Sequence, residues 1–588
     1  MNDRRWLHLG AVVCVVLVCA PVFSGNWVGG HEGYSYLWRT AEVRAQLVTG
    51  TLWPRWCPDF YWGHGYPFFV FYPPGVFLLG SVLGSLAPGL WWGLGLAAAI
   101  GCLAFYYGTW RWARALALSP GASVVAAFLA SLATYRFVQL WVRGDYAESV
   151  ATGLVPWVLA EAQALAHGDA ERGAHLAAGV RLAMLLALVC LTHTLTAGMT
   201  CGVLAVMGLW AARREWVALL RVGVPSVAGL VLSAGYWLPV IAHASLVRFG
   251  DMVEGSVSYH WGDHFPTLWQ RISPAFGFGD SLPGPEDGMP MSTGLLGWGL
   301  ALAAVWLCRK PSARGRLLPL LLGWGAVQAL LLPVSTPLWE WVPGLRMFQF
   351  PWRFLVLDAL FVAGIGATVA DQLGDRLPSR ALLAALAVLF AAPIAVQCWS
   401  HAADEPFPIG PIGRATLEDP KGLQTLGAFT DAGKHLPITT TVQNEYLPRT
   451  VAEPPRQHPA SQGAPAFPRD LGPAREQIGA WRRWQVRIPE EGKYDVSWFH
   501  FPGVRASVDG VEVEVERSEG RGVVALDLAA GERIVDVWYE GTGAMRAGAA
   551  IGALGWVLAL GLLGWIRRGA HQDEAGHDAT GAPAPPQG

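Results

Sequence analysis

About a dozen apolar runs, each close to 20 residues long, recur along this 588-residue chain and constrain its fold more than any other feature. A helix needs roughly 20 mainly apolar residues to cross a bilayer. Within lipid every backbone N–H and C=O must be satisfied internally, which favours such helices. The expected spans are 8–25, 89–110, 120–140, 149–167, 176–193, 195–212, 217–242, 292–308, 316–334, 353–370, 380–397 and 546–566. The run from Pro73 to Leu86 is too short to cross and is expected as a re-entrant or surface helix. Charged residues make up only 15% of the chain, against about 25% in soluble domains, which argues against a large soluble enzyme and against disorder. Thirty Trp and 70 Gly suit membrane helices and their interfaces. A net charge of −2 supplies no global field for nucleic acid.

Short basic segments orient the spans, because Lys and Arg concentrate on the cytoplasmic side. With the N-terminus inside, Arg4-Arg5, Arg111 to Arg114, Glu171-Arg172, Arg213-Arg214, Arg309 to Arg316, Asp375 to Arg380 and Arg567-Arg568 all fall inside. The chain is therefore expected in the cytoplasmic membrane, with its first span a retained anchor. The segments 26–72, 243–291, 335–352 and 398–545 face outward, as does the turn Arg143 to Ser149. Residues 1–397 then form a transmembrane domain, and 398–480, rich in Pro, Gly, Ala and Thr, an irregular region. In 481–545, alternation in Trp484 to Ile488 and Tyr494 to Trp498, with an Asp509-Gly510 turn, predicts a small antiparallel β-sandwich. The final span, 546–566, tethers it, and 567–588 reads as a disordered cytoplasmic tail. Eight Cys give no CxxC or zinc spacing, and a Cys57–Cys398 pair is left open.

Six clusters carry the chemistry. Glu32, Tyr36 and Arg39 fall on one helical face, placing a carboxylate and a guanidinium together beside the membrane. That pairing suits a general base next to an anion, or a solvated ion pair. Six aromatics from Trp53 to Tyr66, with Arg55 and His64 among them and Tyr72 beyond, suit sugar stacking or an interfacial belt. In Arg143-Gly144-Asp145-Tyr146-Ala147-Glu148, Asp145 and Glu148 have the spacing of a capping box, and Arg143 is left for a phosphate. His193 ends a span, where a lone His is commonly a packing residue. Arg346 to Arg353 enters another span, and Asp358 follows inside it as a functional candidate or a partner for Arg353. The sixth is Asn444 to Arg449.

These motifs, with Gly63-His64-Gly65-Tyr66-Pro67, Phe71-Tyr72-Pro73-Pro74, Tyr135-Arg136, Leu191-Thr192-His193, Phe350-Pro351-Trp352-Arg353 and Glu445-Tyr446-Leu447-Pro448, resemble bacterial membrane proteins labelled 6-pyruvoyl-tetrahydropterin synthase-related. Such proteins are similar in architecture to GT-C membrane glycosyltransferases. The resemblance implies a GT-C-like α-helical polytopic fold of about 12 spans, and sugar transfer from a polyprenyl-phosphate donor at the extracytoplasmic face. The acceptor is then an envelope glycan, lipid or protein, in contact with membrane lipid and not nucleic acid. Glu32 sits where the acid of the first outer loop falls, with Asp145 or Glu148 in reserve. His31, Tyr36, Arg39, Arg55, His64, Tyr72, Arg143, His193 and Arg353 are the expected substrate contacts. A divalent metal stays open, although no ligand is assigned to one. Two other functions compete: a lipid or glycan transporter, and a non-catalytic envelope-assembly protein whose β-module binds a partner.

Overall fold

The computed structural model describes residues 3–23, 30–167, 171–248, 260–282, 284, 287–342, 344–374, 377–404, 445–452, 455, 469–472 and 474–579. It is a mostly helical membrane protein with a small antiparallel β-module before its last helix. Among the described residues, seven helices are long and apolar enough to cross a membrane, or up to ten if each of three bent pairs is one span. Helices form at all twelve expected runs, but two are short. Asp3–Cys19 gives way to a 3-10 turn, Ala20–Phe23, at Pro21, which has no N–H to continue the α-helical ladder. Gly294–Leu307 has only 14 residues. The run after Pro73 becomes the 11-residue helix Gly75–Ser85.

Helix Tyr146–His167 is central to the site. It packs closely on helix Leu90–Ala115, where a Cβ on Gly153 would lie 2.4 Å from the carbonyl oxygen of Gly101. Small residues of this kind let membrane helices approach closely. Glu148 and Glu161 lie 13 residues apart on this helix, hence about 20 Å along its axis at 1.5 Å per residue. Glu161 is held at one end by Arg111 (2.7 Å) and Arg181 (2.8 Å). Glu148 lies at the other, among the candidate residues.

The β-module pairs β1 (Glu476–Ile478), β2 (Trp481–Ile488), β8 (Gly531–Tyr539), β4 (Val504–Val508) and β5 (Val511–Val513) in a five-stranded sheet of that order. A second sheet has the order β3 (Gly492–Phe499), β7 (Val523–Leu528), β6 (Glu516–Arg517). Trp484, Trp498, Val496, Val524 and Val537 fill the space between them. Asp509 and Gly510 both take positive φ in the β4–β5 turn, which two-residue hairpins of this type require. The sheet begins at Glu476, earlier than the expected 481, because β1 is too short to display alternation. Trp56, from the membrane domain, inserts against the module and stacks on Trp498 (5.6 Å) and Tyr539 (5.0 Å).

Two helix boundaries differ from expectation. Helix Leu377–Asp404 runs past 397, since the next proline is Pro406. The last helix, Gly543–Ala579, continues through the expected disordered tail as far as 579, and the first proline beyond it is Pro583. Most of 398–480 lies outside the described residues. Cys57 and Cys398 are both free thiols.

Candidate functional site

Backbone pairing brings the first and third clusters together. The N–H of His31 donates to Val142 O (3.0 Å) and that of Glu32 to Arg143 O (2.9 Å). Gly30 makes this approach possible: it sits at φ +50, and a Cβ there would lie 2.7 Å from Val142 O. Residues 32 and 145 therefore share one end of the bundle. A π-helical turn at Val138–Val142 leads into Arg143, a local form often found at functional sites. Asp145 then opens the next helix, its Oδ1 accepting from the Glu148 N–H (2.9 Å) as the capping reading expects.

The three acids are not equivalent. Glu148 is fully buried, and all four of its acceptor positions are taken. Oε1 accepts from Tyr135 Oη (2.8 Å) and Gln139 Nε2 (3.0 Å). Oε2 accepts from Arg143 and from Arg353 Nη1 (3.0 Å). Asp145 is nearly as occupied. Its Oδ1 also accepts from Tyr36 Oη (2.6 Å), which in turn meets Tyr72 Oη (2.8 Å). Its Oδ2 takes Arg143 Nη2 (2.7 Å), with Arg353 at 3.9 Å. Burial alone would raise the Asp145 carboxyl, but Arg143, His193 and Arg353 outweigh it and hold it well below the ordinary range. Trp352 lies under Arg143 (4.8 Å) and Arg353 (5.5 Å).

Glu32 is the exception. Its side chain is 31% exposed, and its nearest cation is Arg39 at 3.9 Å. It precedes helix Gly33–Val48, yet its side chain makes no capping bond. Burial first, and the negative Asp145 second, raise its carboxyl above the ordinary value, with Arg143 and Arg39 opposing. Arg39 lies over the Phe68 ring at 4.4 Å. His31 Nε2 reaches Asp280 at 3.0 Å. Burial lowers this imidazole, while Asp280 pulls the other way.

Other expected contacts fall elsewhere. Arg55 is buried, donating to Gly235 O (2.6 Å) and lying over Trp53. His64 Nδ1 meets Tyr61 O (2.9 Å), and its ring packs on Phe499 of the β-module. Trp56, Tyr61 and Tyr66 are fully buried and Phe60 nearly so, packed in protein and not lining a belt. Asp358 does not pair with Arg353, which is committed to Glu148. It meets Arg271 (3.5 Å), and accepts from Thr293, Trp324 and Gln328. Tyr135, Gln139 and Trp352 join the site without having been singled out. Only Tyr135 and Trp352 stood within quoted motifs.

Asp145, Glu148 and His193 offer ligand atoms within 4.8 Å of one another, a spacing that suits a cation. Their occupancy does not fit one. Arg143 already pairs with an oxygen of each acid, and Arg353 with one of Glu148. His193 Nδ1 is held by Thr196, 3.3 Å from its backbone N and 2.8 Å from its Oγ1.

The fold and site define an integral membrane protein of bundled helices, with an acid–arginine cluster at the end that carries a β-module. Residues 69–403, more than half of the chain, match the family described as 6-pyruvoyl-tetrahydropterin synthase related domain, membrane protein. The chain belongs to that family. No curated protein matches it. Among solved structures it is similar to the arabinofuranosyltransferase AftD from mycobacteria, at 18% identity and TM-score 0.45, covering 67% of this chain and 27% of that one. The Archaeoglobus fulgidus oligosaccharyltransferase matches at 15% identity and TM-score 0.42, covering 76% and 62%. ArnT from Cupriavidus metallidurans, bound to undecaprenyl phosphate, matches at 17% and 0.37, covering 81% and 83%. The chain thus spans about a quarter of AftD and under two thirds of the oligosaccharyltransferase.

Proposed function

We propose that this protein is a GT-C-type membrane glycosyltransferase, taking a sugar from a polyprenyl-phosphate donor to an envelope glycan, lipid or protein at the extracytoplasmic face. The observation that carries this reading is the inequality of the acids: among three carboxylates at one end of the bundle, Glu32 alone is partly exposed and without a committed hydrogen bond among the described residues. A general base needs such a free lone pair and an elevated pKa, near the working pH. The arginines alongside suit a phosphate, because guanidinium pairs with phosphate oxygens through several donors.

In this reading an acceptor hydroxyl attacks the donor's anomeric carbon as Glu32 takes its proton. The bond from that carbon to the phosphate oxygen breaks, and polyprenyl phosphate leaves as the anion, needing no acid to protonate it. One displacement inverts the anomeric centre. Arg39, the cation nearest Glu32, faces the departing charge, with the guanidiniums of Arg143 and Arg353 held on Asp145 and Glu148 behind it. Glu148 and Asp145, expected as reserve bases, become positioning residues that fix those guanidiniums. The test is complementation of a deletion strain that has lost an envelope glycan. Wild type is expected to restore the glycan, and Glu32→Gln, inserted to the same level, is expected not to. Full restoration by Glu32→Gln would remove Glu32 from the base role.

A further inference from the structure

We infer that this site works without a divalent cation, because Arg143 and Arg353 occupy carboxylate oxygens of Asp145 and Glu148 that such an ion would need. The inference deepens the proposed function, since it gives the phosphate-facing charge to arginine, and it rests on the reaction being at this site. A divalent ion binds carboxylate oxygens at about 2.0–2.6 Å. Here one oxygen of each acid already carries guanidinium hydrogens: Arg143 on both acids and Arg353 on Glu148. The remaining oxygens are equally committed, to Tyr135, Gln139, Tyr36 and the Glu148 N–H. A cation would have to expel a guanidinium that is itself buried, leaving a charge without its partner.

Charge gives the same answer. Asp145 and Glu148 contribute two negative charges, and Arg143 and Arg353 two positive ones. The group is neutral as it stands, and a divalent ion would leave two uncompensated charges in a low-dielectric interior. His193 spends its Nδ1 on Thr196, which leaves a single ring nitrogen for an ion. The resemblance to a metal site is therefore one of spacing, and each carboxylate oxygen is spent on a proton donor of the protein itself.

The test compares purified wild type with His193→Gln after exposure to MnCl2, ZnCl2 or MgCl2 and desalting. Metal content is read by elemental analysis, and melting temperature with each cation present. The expected result is the same metal content and the same cation-induced shift in both proteins. A full equivalent of metal retained by wild type and missing from His193→Gln would overturn the inference. Arg353→Gln is expected to gain a cation-dependent rise in melting temperature that Arg353→Gln/His193→Gln lacks. If folded Arg353→Gln gains none, the guanidinium is not what excludes the ion, and that half of the inference falls. Should Arg353→Gln not fold, the first comparison still decides. Neither readout involves sugar transfer, so failure here leaves the Glu32 reading standing, and failure of that reading leaves these results interpretable.

Discussion

Two of the buried acid–arginine knots among the described residues differ in one respect. Around Asp358, Arg271, Thr293, Trp324 and Gln328 converge on one carboxylate oxygen, the side chain is only 5% exposed, and Arg271 also donates to Met291 and Thr293. Around Asp145 and Glu148 the closure is similar, but it stops at Glu32, which keeps 31% of its side chain exposed. The first knot is complete without a ligand. The second is a rigid frame that presents one uncommitted carboxylate beside arginines. An intramembrane acid is a functional candidate by default, and the contrast lies in access: Asp358 is 5% exposed and paired with Arg271, whereas Glu32 is 31% exposed.

The largest expected effect separates the two knots by activity. Glu32→Gln should lower sugar transfer by about 10²–10⁴-fold, the usual contribution of a general base. Its stability should hold or rise. The sign follows from the raised carboxyl: stability from a raised acid is lost as pH climbs through its folded pKa, so removing the ionisation removes that loss. A fall in melting temperature on Glu32→Gln would instead mark Glu32 as structural. Next, Asp358→Asn should strand Arg271 and cost about 3–5 kcal/mol of stability, as breaking a buried pair does. The surviving folded protein should transfer sugar normally. Loss of transfer without loss of stability would reverse the roles of the two knots.

A comparable cost is expected outside both. Trp56→Ala should remove about 3–5 kcal/mol of packing where the β-module meets the membrane domain, read as faster proteolysis of the module. The smallest effect is on pH dependence. Transfer should rise with pH as Glu32 loses its proton, on a limb above the ordinary glutamate range. Arg39→Gln removes a charge that favours the ionised form, so that limb should move to higher pH. A shift to lower pH would contradict the Glu32–Arg39 pairing.

The sequence displayed what is periodic. Apolar runs located the helices, and alternation with Asp509-Gly510 located the β-module. Basic loops anticipated that residues 32 and 145 share an end, and the Glu32 N–H to Arg143 O bond realises it. Local spacing also showed the Asp145 cap on Glu148. What stayed hidden depends on distant partners. Arg271 lies 87 residues before Asp358 and reaches it through a loop, so Arg353, only five residues away, looked the better match. Arg55, His64 and Trp56 looked like site or belt residues because nothing local announces that a β-module more than 400 residues on packs against His64 and Trp56. The ranking of Glu32, Asp145 and Glu148 was hidden too, since counting occupied lone pairs needs the coordinates of Tyr135, Gln139 and Tyr36.

The most direct measurement is single-turnover release of polyprenyl phosphate from a polyprenyl-phosphate sugar, run side by side on purified Glu32→Gln and Asp358→Asn with melting temperatures recorded. The account predicts that Glu32→Gln melts no lower than wild type and releases at least about 100-fold more slowly, while folded Asp358→Asn releases at the wild-type rate. Wild-type release by a fully folded Glu32→Gln would contradict it.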